Sequence, residues 1–161
     1  MKWAKKGLSL MEVLLAIFIV VSAIGALATM YPGIFTGVNL DMANLKAWGI
    51  AQREMETLKN SPFANLYAVA SDPEATPQGN VFATGDTNFS GTYYVQKLRD
   101  VNNLILDDLV KLEVVVCFKV GNRIIGEDRN LNGIKDGGED DDNDRKITSP
   151  VRLTTLVMLM L

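Results

Sequence analysis

Lys5-Lys6-Gly7-Leu8-Ser9-Leu10-Met11-Glu12-Val13-Leu14-Leu15-Ala16 is the stretch on which the rest of the chain turns. A short basic head meets a glycine, and an apolar run begins that holds one acid near its start. From Val13 to Leu40 there is no charged residue. About 20 apolar residues suffice to cross a bilayer as a helix, so the run is long enough. An ionised side chain inside that span costs roughly 2.5–3.5 kcal/mol on insertion scales. Glu12 therefore needs a group that neutralises it. A secretory signal has an apolar region of about 7–15 residues closed by a small-residue cleavage site, which is shorter than this run. A plain membrane anchor fits the length but leaves Glu12 without a reason. Lys2, Lys5 and Lys6 place the basic end in the cytoplasm and the remainder outside.

The string Lys-Lys-Gly-Leu-Ser-Leu-Met-Glu resembles the class III leader of type IV pilins and type II secretion pseudopilins. Gly7, Leu10, Glu12, Leu14 and Leu15 fall where the family pattern has them, and Leu8 stands where phenylalanine is usual. The resemblance implies that residues 1–7 are a leader, cut after Gly7 by prepilin peptidase, with methylation of the new N-terminus at Leu8. It implies that Glu12 pairs with that terminus on an adjacent subunit. The partners that come with it are other pilin or pseudopilin subunits, the inner-membrane assembly platform, and the membrane before assembly. The segment from Ala51 to Phe63, Ala-Gln-Arg-Glu-Met-Glu-Thr-Leu-Lys-Asn-Ser-Pro-Phe, is similar to the helix end of PilV-like minor pilins and I-type minor pseudopilins. The implied fold is α+β, a pilin fold with a long N-terminal helix packed on a three- to four-stranded antiparallel sheet. Pili, secretion pseudopili and DNA-uptake filaments share this leader, as does a filament-tip adhesin or DNA-capture subunit, so the leader does not choose among them.

The chain has 161 residues, room for one head domain beyond its anchor. Loss of residues 1–7 removes three lysines and takes the formal charge from −3 to −6. Nucleic acid is not indicated as a partner by so acidic a balance. There is no histidine, which removes the commonest general base and every Ser-His or Cys-His nucleophile pair. No paired-carboxylate signature stands outside one acidic loop, so an enzyme is not expected. Cys117 is the only cysteine. It lies in Val114-Val115-Val116-Cys117-Phe118 and reads as a buried, inert core thiol.

Residues 8 to about 60 read as one helix, apolar all round over residues 8–37 and amphipathic beyond. Tyr31-Pro32-Gly33 interrupts it, because proline removes a backbone hydrogen bond; either a kink or a locally unwound turn follows. In the second half, Leu45, Trp48, Ala51, Met55 and Leu58 form the stripe expected to face the sheet. Residues 38–161 are the expected head domain. Phe63–Gly91, rich in turn formers, reads as a surface loop with a helical turn near Ala64–Ala70. Strands are expected at Thr92–Arg99, Lys111–Val120 and Pro150–Leu161, with a short one at Arg123–Ile125 behind the Gly121-Asn122 turn.

The acidic loop, residues 126–146, contains Asp128-Arg129-Asn130-Leu131-Asn132-Gly133-Ile134-Lys135-Asp136-Gly137-Gly138-Glu139. This is the spacing of a 12-residue EF-hand calcium loop, with oxygen side chains at positions one, three, five, nine and twelve and glycine at six. Calcium takes six to eight hard oxygen ligands, and the glycine lets the chain turn sharply round the ion. Asp128, Asn130 and Asn132 would give side-chain oxygens and Ile134 its carbonyl. Asp136 would bind directly or through water, and Glu139 with both oxygens. Lys135 stands where EF-hands have an apolar residue, and the flanks read as strand and coil, so a structural Ca2+ site within a sheet connection is expected rather than an EF-hand pair. Asp140, Asp142 and Asp144 either extend that site or hold a second ion; the opposing reading is a solvated acidic loop.

Overall fold

A computed structural model describes residues 9–159, and for residues 30–36 the backbone alone. The Gly7–Leu8 junction lies outside the described residues, as do the last two residues of the third expected strand. The chain divides into two units, Met1–Leu40 and Asp41–Leu161.

Helix α1 spans Leu10–Lys59, 50 residues. Its backbone stays helical through Tyr31–Gly33, so the unwound turn left open above is not found. In the first unit, every described side chain of α1 is exposed. Leu10–Thr29 is 20 residues long and apolar enough to cross a membrane; at 1.5 Å per residue that is about 30 Å.

In the second unit α1 is amphipathic, and the face it buries is the expected stripe except at Leu45, with Ala47 and Ile50 added. Ala47, Ile50, Ala51, Met55 and Leu58 are buried, Trp48 packs at the margin, and Leu45 is 73% exposed. The apolar residues follow a 47–51–55–58 line along the i, i+4 ridge. Leu45 is two residues from Ala47, about 200° round the helix, so it faces away whatever its hydrophobicity. Ser61 Oγ donates to the Leu58 carbonyl at 2.6 Å, and Pro62 stops the helix. Helix α2 (Phe63–Ala68) follows.

The sheet is antiparallel and five-stranded: β1 (Asn80–Phe82), β2 (Phe89–Arg99), β3 (Ile105–Val120), β4 (Arg123–Ile125) and β5 (Val151–Met158). This corrects the count of three or four strands. Strand β1 lies inside Phe63–Gly91, a segment read as loop because three residues carry no period. Strands β2 and β3 also start earlier than expected, at Phe89 and Ile105. Pairing with a long partner recruits Ser90 and Gly91 into β2 and Asp107 and Asp108 into β3, residues whose own strand preference is low. Arg123–Ile125 is a strand as expected.

Strand β3 is the axis. Strand β2 pairs with one edge, and β4 and β5 share the other, with Phe118 opposite Ile125 and Val116 opposite Val151. Only Cys117 separates the two pairings, so residues 126–150 leave the sheet and return to it on either side of that residue. Side chains alternate along β3. Val110, Leu112, Val114, Val116 and Phe118 join the α1 residues in the main core. Val115 and Cys117 point the other way and pack with Tyr94 and Ile147 in a second cluster. The unbroken run Val114–Phe118 thus reflects a strand covered on both faces.

Candidate functional site

In the stem, Glu12 sits in the first turn of α1 among exposed apolar side chains, including Leu10, Val13, Leu14 and Leu15. The Ser9 hydroxyl accepts from Met11 N at 3.3 Å and the Ser9 carbonyl from Glu12 N at 2.9 Å, which starts the helix. Among the described residues no cation pairs with the Glu12 carboxylate.

In the head, the expected calcium loop brings its side chains together. Asp128 is fully buried; its Oδ1 accepts from Asn132 N at 3.1 Å and its Oδ2 from Gly133 N at 2.7 Å. Asn130 Oδ1 accepts from Asn132 N, and Asn132 Oδ1 from Ile134 N. Glu139, 5% exposed, takes Arg129 N on Oε1 at 2.9 Å and Asp136 N on Oε2 at 3.0 Å. Asp136 Oδ2 accepts from the amide nitrogens of both Asn130 (2.7 Å) and Asn132 (2.9 Å). Gly133 has φ +76, and a Cβ there would stand 2.8 Å from Val81, so only glycine fits this sharp turn. Among the described residues no hydrogen bond ends on the Ile134 carbonyl.

These residues fit a hard divalent cation by donor chemistry: three carboxylates, two side-chain amides and one free carbonyl, all oxygen. One adjustment is required. The nitrogens of Asn130 and Asn132, not their oxygens, face Asp136, so both amides must turn over to ligate. The neighbouring Asp140, Asp142 and Asp144 place carboxylate oxygens within 4.8 Å of one another. They are tied into loop structure: Asp140 holds Lys135 Nζ at 2.8 Å, Asp142 accepts from Asp144 N, and Asp144 accepts from Lys146 N. The Lys135 ammonium keeps the Asp140 carboxyl below its ordinary range. Burial, aided by Asp142, pushes that of Asp144 up.

The acidic segment does not project from the sheet. It folds back as a strap over the outer face. Thr92 Oγ1 donates to the Gly133 carbonyl at 2.6 Å, Ile147 N to the Tyr94 hydroxyl at 2.8 Å, and Ser149 Oγ to the Val116 carbonyl at 2.7 Å. Glu127 closes the base, accepting from Asp141 N and Thr148 N while its own N–H donates to the Thr148 carbonyl. At the centre lies Glu113, 1% exposed. Lys146 Nζ meets its Oε2 at 2.9 Å and Lys111 Nζ at 3.8 Å. Arg152 Nε is 2.5 Å from Oε1, close but out of hydrogen-bond alignment. Beneath the strap, burial pushes the Cys117 thiol up to about 11 and the Tyr94 hydroxyl up to about 12.

Sequence reasoning does not find Glu113, Glu127 or Lys146. The one available signal is an acid at the second position of the otherwise apolar run Leu112–Phe118. No family model, curated protein or solved structure matches the chain.

Proposed function

We propose that this chain is a structural subunit, of the minor pilin or pseudopilin kind, of a type IV pilus-like or type II secretion filament. The observation that carries the reading is Glu12: one carboxylate on the exposed apolar part of α1, the fifth residue after the Gly7–Leu8 junction. Cleavage there creates an α-amino group, and the same group on the next subunit is the cation that the described residues do not give Glu12. Before assembly Leu10–Thr29 lies in the inner membrane, oriented by Lys2, Lys5 and Lys6 with the head on the far side. In the filament the same apolar surface packs against its copies, so transfer from lipid exchanges one apolar setting for another. A long helix half-packed on an antiparallel sheet is the α+β layout that a pilin head requires. Glu12→Ala tests this: insertion and processing should persist while assembly fails, and normal filaments from that variant would contradict the pairing.

The Asp128–Glu139 loop is read as a structural calcium site. Asp128, Asn130, Asn132, Asp136 and Glu139 would hold the ion with the Ile134 carbonyl, and the ion supplies charge neutralisation to a segment, Glu127–Lys146, that carries eight acids and four bases. With an extracellular-type affinity of about 10⁻⁴ M, 1 mM calcium stabilises the head by about 1.4 kcal/mol. Chelation of the full chain in detergent should lower its Tm, and Asp128→Ala should abolish the calcium response. No response at millimolar calcium leaves the loop as solvated charge.

A further inference from the structure

Two features of the strap are coupled by the path of the chain. Leu131 sits between Asn130 and Asn132, two residues of the cation loop, and it packs against the cluster of Tyr94, Val115, Cys117 and Ile147. Its backbone holds φ +58, a left-handed conformation that a branched aliphatic residue adopts only when its surroundings require it. The turn that aims the two asparagines is therefore the turn that seats Leu131 on the sheet.

The far end of the strap has the second fastening. Lys146, 8% exposed, is the one basic residue between Glu127 and Pro150 that is buried. It donates to Glu113 Oε2 and Gln96 Oε1, and its ammonium lies 5.6 Å over the Tyr94 ring. Ile147 follows directly as the second apolar plug. Between the fastenings the strap bears five exposed or half-exposed carboxylates, at Asp136, Asp140, Asp141, Asp142 and Asp144. Arg129 and Lys135 pair with Asp141 and Asp140, but the strap still has four more acids than bases between Glu127 and Lys146, a surplus that a bound cation would reduce.

We propose that residues 126–150 form a closing strap: a divalent cation in the Asp128–Glu139 loop locks it over the outer face of the sheet, and loss of the cation lets it lift from Cys117 without unfolding the head. The inference rests on the calcium reading above. Cys117 is its built-in reporter. It is buried at 1%, it lies where both ends of the strap join β3, and its sulfur faces the strap at Gly126 and at the Thr148 carbonyl, 3.8 Å away. Lifting the strap exposes the only thiol in the chain, while the α1 side of the sheet stays packed.

The test is alkylation of Cys117 by iodoacetamide in the full chain in detergent micelles, followed by mass, in 1 mM calcium and in chelator, at several urea concentrations below the unfolding transition. A local opening labels at a rate that low urea does not change, whereas labelling through global unfolding rises with urea throughout. Chelation should speed urea-independent labelling by about tenfold or more, since one decade is about 1.4 kcal/mol and the ion is expected to supply about that. Lys146→Met should speed it to a similar degree with calcium present, because it strips the buried Glu113 of its closest partner from the strap. Should that variant fail to fold, Leu131→Ala replaces it, removing one plug and no charge. Labelling that follows global unfolding in every condition, while calcium still raises the Tm, overturns the strap and leaves the cation site standing. Urea-independent labelling that ignores calcium, with no calcium effect on Tm, overturns the cation control and the site together.

Discussion

Glu12 and Glu113 are both carboxylates on apolar ground, and the chain treats them in opposite ways. Glu113 is enclosed, and the fold brings Lys146, Lys111 and Arg152 to it from the strap and two strands. Glu12 lies open on a helix with no cation from the described residues. The head answers its buried charge internally. On our reading the stem leaves its charge to be answered by another copy, and that difference separates a part built to fold from a part built to assemble.

The sharpest way to break the comparison is to remove each acid. Glu12→Ala should abolish filaments, scored by electron microscopy and shearing, while the urea midpoint of the head stays within about 0.5 kcal/mol of the parent. Glu113→Gln should do the reverse, costing about 3 kcal/mol in the same unfolding assay because the buried Lys146 loses its counter-charge. Similar losses of stability in both variants would erase the distinction. Next in size is Gly126→Ala. Gly126 holds φ +107 with the Cys117 sulfur 2.4 Å from where a Cβ would be, so the substitution should cost about 2 kcal/mol; a neutral result would mean the strap base is looser than it stands here.

The smallest effect is with pH, measured as Tm in chelator. Lys46 beside Asp86, backbone N–H groups on Asp100 and Lys135 beside Asp140 hold these three carboxyls below their ordinary range. Each contributes stability that is complete above its unfolded pKa of about 3.9 and is lost as pH falls through the lower folded value. Asp144 has the opposite sign: its folded pKa is raised, so protonation favours folding as pH falls through that value. Stability should therefore rise slightly as pH falls through the raised folded values of Asp144 and Glu54 and fall below about 4. Asp144→Asn should reduce the rise, leaving the part that burial of Glu54 contributes, and keep the fall.

Much of this was legible in the residues. The apolar stem, the end of α1 at Ser61-Pro62, the short strand behind Gly121-Asn122 and the convergence of Asp128, Asn130, Asn132, Asp136 and Glu139 all come from local chemistry at fixed spacing. What was not legible depends on distant partners. Strand β1 exists because β2 offers it an edge. Leu45 was assigned to the core on its three-residue spacing from Trp48, but the buried line runs through Ala47 and Ala51 and leaves it outside. Glu113 and Lys146 lie 33 residues apart, and no local pattern links an acid on a strand to a lysine in an acidic loop. Val114–Phe118 did carry a usable hint, because a strand apolar at every position needs a cover on each face.

The account rests on the amine that Glu12 is read as meeting, and the mass of the chain recovered from membranes or filaments tests it most directly. It should begin at Leu8 and carry one methyl group on its N-terminal nitrogen. A chain that still begins at Met1, or begins anywhere but Leu8, would leave Glu12 without its partner and contradict the assembly reading.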